Sequence, residues 1–208
     1  MKDFEERIQN IEKRIKEGLP GMGSQIKMVS ETFKNRYFDM QPNEQTREGG
    51  VLILLYPESN QLHLPFILRP STEKGVHSGQ VAFPGGKKEE TDKNVIHTAL
   101  REAEEEVHLD TSQITVIGQL SPLFVFASNF MVYPTLAYTN TPPLLKPNPS
   151  EVAEIFSANI EHLKHPETIK KTTIKTPQYT FETPYYDVDG KIIWGATAMM
   201  LSELLEIL

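Results

Sequence analysis

The chain has 208 residues, 38% hydrophobic and 24% charged, with a formal net charge of −7 and no cysteine. Such a composition is globular rather than disordered and suits one domain with a modest extension. It argues against a general binder of nucleic acid or anionic membranes, and it excludes a disulfide framework, a thiolate zinc site and a cysteine nucleophile. The first residues lack a basic segment followed by an apolar run, no stretch approaches a membrane span, and the last three residues are not a peroxisomal address. The expectation is a soluble cytoplasmic protein.

In chain order, Phe4, Ile8, Ile11, Ile15 and Leu19 recur at spacings of three and four with charges between them, which predicts an amphipathic helix ending near Gly18 to Gly21. A second helix is predicted over Ser24 to Phe33. Residues 1–45 are therefore read as an N-terminal helical extension, either a packing element or an exposed face suited to a homodimer contact or a lid. Val51 to Tyr56 is a short apolar run bounded by turn signals, a buried strand. Pro57 to Gln61 is read as a turn, and Leu62 to Leu68 as the returning strand, closed by Arg69.

Next come Lys74-Gly75-Val76-His77-Ser78-Gly79-Gln80 and then Val81-Ala82-Phe83-Pro84-Gly85-Gly86. The glycine pair feeds a helix carrying Arg101-Glu102-Ala103-Glu104-Glu105-Glu106. At about 100° per residue, Glu102, Glu105 and Glu106 share one side, while Ile96, Ala99, Leu100, Ala103 and Val107 form a core stripe. Like charges at these spacings repel unless water screens them or a cation relieves them. Oxygen-only ligands at this density suit a hard divalent ion such as Mg²⁺ or Mn²⁺; the alternative is a solvated acidic face. Asp92 is positioned to cap the helix start.

Beyond the helix, Ile114 to Leu120 and Met131 to Tyr138 are predicted strands, and Pro142 to Pro149 a proline-rich loop lining the cleft. Glu151 and Glu154 follow as candidates for a carboxylate contributed from outside the helix, or as plain surface acids. Ser157 to Leu163 is read as a short helix and Lys170 to Lys175 as a solvated loop. Asp187-Val188-Asp189-Gly190 marks a hairpin, and the final helix through Leu208 is apolar on most sides.

The central segment resembles the Nudix box, which reads Gly, five residues, Glu, seven residues, then Arg-Glu-apolar-x-Glu-Glu-x-Gly-apolar. Here Gly86 and five spacers lead to Asp92, eight spacers lead to Arg101, and Glu102, Glu105, Glu106 and Leu109 follow. Asp92 replaces Glu, one spacer is extra, and His108 replaces the final Gly. The Asp and the extra spacer also occur in the coenzyme A pyrophosphatase branch. That branch carries a segment similar to this chain at Arg69, His77, Gly79, Gln80, Phe83, Pro84, Gly85 and Gly86, with Lys74-Gly75 where it has Leu-Arg. Further likenesses lie at Ser128 to Pro134, Ser150 to Phe156 and Trp194 to Ala198.

The resemblance implies a Nudix-type α/β/α sandwich with a mixed sheet over residues 46–208. It implies a metal-dependent pyrophosphohydrolase cleaving coenzyme A or its derivatives to 3′,5′-ADP and 4′-phosphopantetheine. Glu102, Glu105 and Glu106 would hold Mg²⁺ or Mn²⁺; Glu102, Glu105 or an acid beyond the box would act as base, with Arg101 orienting a carboxylate. Arg69, Lys74, His77, Gln80, Gly85 and Gly86 would bind substrate. The rivals are another nucleoside diphosphate derivative or nucleotide (ADP-ribose, a dinucleotide, a nucleoside triphosphate) and a non-catalytic nucleotide-binding or regulatory protein.

Overall fold

A computed structural model describes residues 2–71, 79–176 and 179–208. The organising strand is β1 (Arg47–Glu58), whose successive side chains point to opposite faces of the sheet. Leu52 and Leu54 enter one apolar cluster with Ala99, Ala103 and Val107. Ile53 and Leu55 enter another with Phe4, Ile8, Ile11 and the C-terminal residues Leu201 and Leu204. One strand thus feeds two cores, and helices cover both faces of the sheet.

The other elements are α1 (Lys2–Glu17), α2 (Met22–Gln25), α3 (Lys34–Asp39), β2 (Gln61–Leu68), β3 (Val81–Ala82), β4 (Gly85–Lys87) and α4 (Val95–Val107). They are followed by β5 (Thr115–Gln119), β6 (Leu123–Val125), β7 (Phe130–Tyr138), β8 (Glu154–Asn159), α5 (Ile160–Lys164), β9 (Ile169–Lys175), β10 (Thr180–Val188), β11 (Lys191–Ile193) and α6 (Gly195–Ile207). The large sheet runs β3-β2-β1-β7-β5, with β4 on β1, β6 on β7 and β8 on β2; a second sheet runs β11-β10-β9. The β1–β7 pair is parallel and its neighbours are antiparallel, so the sheet is mixed, as expected.

Helix α1 buries Phe4, Ile8 and Ile11 in the same core as α6, and Phe4 packs edge-on to Tyr138 at 5.9 Å. The apolar face on which the homodimer expectation rested is therefore taken up within the chain. Helix α1 is an N-terminal element packed into the domain core. Helix α6 is buried on nearly every side, as its composition predicts.

Four local expectations are corrected. The single helix over Ser24 to Phe33 is broken into α2 and two 3₁₀ turns, because Val29 and Ser30 are extended. The Ser30 hydroxyl donates to Glu182 O (2.6 Å), so tertiary contacts overrode helical propensity. Strand β1 continues through Pro57 and Glu58, and the turn narrows to Ser59 and Asn60, both at positive φ, the hallmark of a two-residue hairpin loop. Ser157 to Asn159 belongs to strand β8, which fills the free edge of β2; Asn159 then caps α5, accepting from Glu161 N. Lys170 to Lys175 is a strand, β9, whose partner β10 supplies backbone hydrogen bonds that an apolar pattern could not reveal. No described helix is long and apolar enough to cross a membrane.

Candidate active site

The glycine pair lies against both β1 and α4. Gly85 has φ 156, and a Cβ there would collide with the backbone of Gly50 and Val51. A Cβ on Gly86 would stand 2.5 Å from the Glu102 carboxylate. Both positions need a residue without a side chain, and the absence of one lets the backbone approach the acidic helix face.

From α4, Glu102 and Glu106 project one turn apart toward that backbone. Glu106 is 1% exposed. It accepts from Gly85 N (2.8 Å), and Arg69 Nη2 stands 3.5 Å from its other oxygen. Burial, with the neighbouring Glu102 and Glu151 charges, outweighs Arg69 and the Gly85 N–H and pushes its pKa up to about 7. Burial likewise raises the pKa of Glu102 against the lowering effect of Arg101. Glu151 arrives from the loop after the proline-rich stretch. Glu102, Glu106 and Glu151 each present a carboxylate oxygen within 4.8 Å of the others.

Three converging carboxylates, one of them buried with incomplete compensation, match the donor set of a hard divalent cation. Zinc chemistry would call for nitrogen or sulfur donors. The residues present fit Mg²⁺ or Mn²⁺.

Glu105 stands apart from this cluster. Its side chain is 53% exposed, and one oxygen meets Arg101 Nη1 at 3.1 Å. Arg101 also donates through Nε and Nη2 to the two oxygens of Asp92, both at 3.0 Å, and reaches Glu102 at 3.0 Å. It is a clamp between the loop before α4 and the acids on α4.

Asp92 is not the helix cap: Asn94 is, accepting from His97 N. Asp92 is buried and accepts from Glu89 N, His97 Nδ1, Thr98 Oγ1 and Arg101. The Arg101 guanidinium holds its carboxyl well below the usual carboxylate range. Its shorter side chain reaches these donors from a loop with one extra residue.

Of the remaining candidates, Arg69 donates to Gly85 O (3.1 Å) and so lies against the glycine turn. Gln80 is tied to the same strand end through its carbonyl, which accepts from Arg69 N (3.0 Å). Lys74 and His77 lie outside the described residues. Glu154 pairs with Lys191 Nζ at 2.7 Å and is not one of the three clustered carboxylates. The proline-rich loop docks on the C-terminal end of α4 through Lys146 N to Val107 O and Asn148 N to Glu106 O. Asn148 and His108 were not singled out by the sequence reading as site residues, although Asn148 opens the segment that supplies Glu151.

The chain is similar to known proteins. The NUDIX domain family model matches residues 46–176. A Nudix hydrolase of Pectobacterium atrosepticum, named as uncharacterised, is 32% identical over 167 residues, covering 79% of this chain and 84% of its own. A protein of Mus musculus named mitochondrial coenzyme A diphosphatase is 35% identical over 150 residues, 70% of each chain. A solved MutT/nudix family protein from Enterococcus faecalis superposes with a TM-score of 0.50 at 15% identity, covering 87% of this chain and 68% of that one, a likeness of fold.

Proposed function

The chain belongs to the Nudix hydrolase family and is a pyrophosphohydrolase acting on small nucleoside diphosphate derivatives, and from that premise we propose that its substrate is coenzyme A or a derivative. The products would be 3′,5′-ADP and 4′-phosphopantetheine. The observation that carries the chemistry is the convergence of Glu102, Glu106 and Glu151 beside the Gly85-Gly86 backbone. The substrate reading rests on the relative named for coenzyme A diphosphatase activity and on the segment from Arg69 to Gly86.

Nudix hydrolases in general require a divalent metal. In this chain Glu102, Glu106 and Glu151 would hold it, and Mg²⁺ or Mn²⁺ would neutralise the diphosphate and acidify the attacking water. Arg101 fixes Glu102 and Glu105 by hydrogen bonds, which restrains two otherwise mobile side chains. Glu105, outside the cluster and open to solvent, would accept the proton released by the attacking water. Arg69 adds positive charge at the glycine turn where a phosphate would approach. Lys74, next to the position where the branch has arginine, would substitute for it and grip a phosphate as a point charge rather than a fork. The catalytic unit is residues 46–208, with 1–45 as its packed extension.

The test is product analysis with Mg²⁺ or Mn²⁺ and coenzyme A, run beside ADP-ribose and a dinucleotide, with Glu105→Gln as control. Preferential release of 3′,5′-ADP that the variant loses supports the reading. Preferential cleavage of another diphosphate removes coenzyme A as the substrate, and absence of any cleavage favours a nucleotide-binding role.

A further inference from the structure

The three carboxylates come from two distant parts of the chain, and one residue touches both. Glu102 and Glu106 ride on α4, while Glu151 belongs to a loop more than forty positions later. A helix leaves its last four carbonyls without intrahelical partners. At α4 the loop takes two of them: Lys146 N donates to Val107 O (3.0 Å) and Asn148 N to Glu106 O (2.8 Å). Pro147 and Pro149 flank Asn148 and have no N–H, so Asn148 is the one residue of that triplet able to make the backbone bond.

The rest of Asn148 works toward Glu151. Its Nδ2 donates to Glu151 Oε1 at 3.3 Å. Its Oδ1 accepts from Ser150 N (3.3 Å) and Ser150 Oγ (2.7 Å), closing a local turn. Its carbonyl accepts from Glu151 N (3.0 Å) and Val152 N (2.8 Å). An exposed glutamate without such ties would sample many rotamers, and holding it still costs side-chain entropy.

We infer that Asn148 is a positioning residue: its backbone N–H anchors the loop to the Glu106 carbonyl, and its side-chain amide sets Glu151 against Glu102 and Glu106. The inference rests on the cluster being the divalent-cation site and is independent of coenzyme A being the substrate. Partners one step removed from a metal ligand commonly change metal affinity by about 10–100-fold when lost. Asn148 has the geometry of such a partner.

The experiment is calorimetric titration of Mn²⁺ into metal-free full-length protein, with thermal unfolding measured on each sample. The variants are Asn148→Ala, Asn148→Ser, Glu151→Gln and the double variant Asn148→Ala/Glu151→Gln. Serine keeps an acceptor for the Ser150 turn, stays neutral and cannot reach Glu151. Asn148→Ala and Glu151→Gln should each weaken Mn²⁺ binding about tenfold, and the double variant should bind no worse than Glu151→Gln alone. Asn148→Ser should unfold at the wild-type temperature yet bind Mn²⁺ roughly fivefold more weakly.

Wild-type Mn²⁺ affinity in Asn148→Ala or Asn148→Ser overturns the inference. So does a full additional loss when Asn148→Ala is placed on Glu151→Gln, because the asparagine would then act through something other than Glu151. Wild-type protein that binds no Mn²⁺ overturns the cation-site reading and this inference together. Failure of the coenzyme A reading shows up separately, in the product assay, with the titration unchanged.

Discussion

Two glutamates are almost wholly removed from water, on opposite faces of the sheet, and their surroundings differ in kind. Glu203 on α6, 0% exposed, accepts hydrogen bonds from Gly21 N, Gln25 Nε2 and Ser121 N at 2.9–3.3 Å. Glu106 on α4, 1% exposed, receives one N–H from Gly85 and a guanidinium 3.5 Å away, and it faces Glu102 and Glu151. A buried carboxylate surrounded by donors is a structural fastener. One left short of donors among like charges is destabilised until a cation arrives. Burial alone does not separate these roles; the donor inventory does.

Exchanging each charge for a neutral group tests the contrast. Glu106→Gln should lower hydrolysis about a thousandfold, roughly 4 kcal/mol, by removing a cation ligand. Stability of the metal-free protein above pH 7 should hold or rise, because an under-compensated buried charge is gone. Urea unfolding and steady-state kinetics on the same sample check both halves; a variant that keeps its activity would sink the assignment. Glu203→Ala should do the reverse. It leaves the part-buried Gly21 and Ser121 N–H groups without this acceptor and Gln25 Nε2 with Ser121 O alone, so a loss of about 3 kcal/mol is expected, with normal turnover by the molecules that remain folded.

The pH dependence of stability, measured by denaturation in a metal chelator, sharpens the same comparison. Burial raises the Glu106 pKa from 4.5 to about 7. The folded state then holds the proton over a range in which the unfolded state has lost it. Stability from this group is present below the unfolded value and declines as pH rises toward about 7, by on the order of 3 kcal/mol. Asp92, whose pKa Arg101 depresses, contributes with the opposite sign: its stability is present above the ordinary carboxylate range and is lost as pH falls through and below it. Glu106→Gln should flatten the neutral limb and Asp92→Asn the acid limb. Interchanged effects would mean that the donor inventories are misassigned.

Strand β1 was legible as an unbroken apolar run, because both of its faces are buried, and α4 because one-sided burial writes a period into the sequence. Strand β9 was not: it is held by backbone pairing to β10, and its lysines and threonines carry no alternating apolar signal. At the site, the acids of the helix were legible from spacing, but their division of labour was not. Helical geometry places Glu105 beside Glu102 and Glu106, yet Arg101 holds it to one side, while Glu151 completes the trio through a loop whose path sequence cannot specify. The Asp92 network was missed for the same reason, since a capping role and a five-bond anchor use the same residue type.

The smallest effect expected concerns His108, where the Nudix box has glycine. His108 follows α4 in the left-handed region, φ 52 and ψ 39, a conformation that costs a residue with a side chain about 1 kcal/mol relative to glycine. Its ring offsets part of that cost. Nδ1 lies 3.0 Å from Lys146 O, and because a carbonyl only accepts, Nδ1 carries the proton. His108→Gly should therefore leave stability within about 0.5 kcal/mol of wild type, relief of backbone strain cancelling the lost hydrogen bond. His108→Ala keeps the strained backbone and loses the bond, so it should be less stable by about 1 kcal/mol. Both should weaken Mn²⁺ binding by no more than a few fold, since Asn148 still ties the loop to Glu106. Equal destabilisation by glycine and alanine would mean that the ring contact, not the backbone, governs this helix end, and the histidine would then be a fastener in the same sense as Glu203.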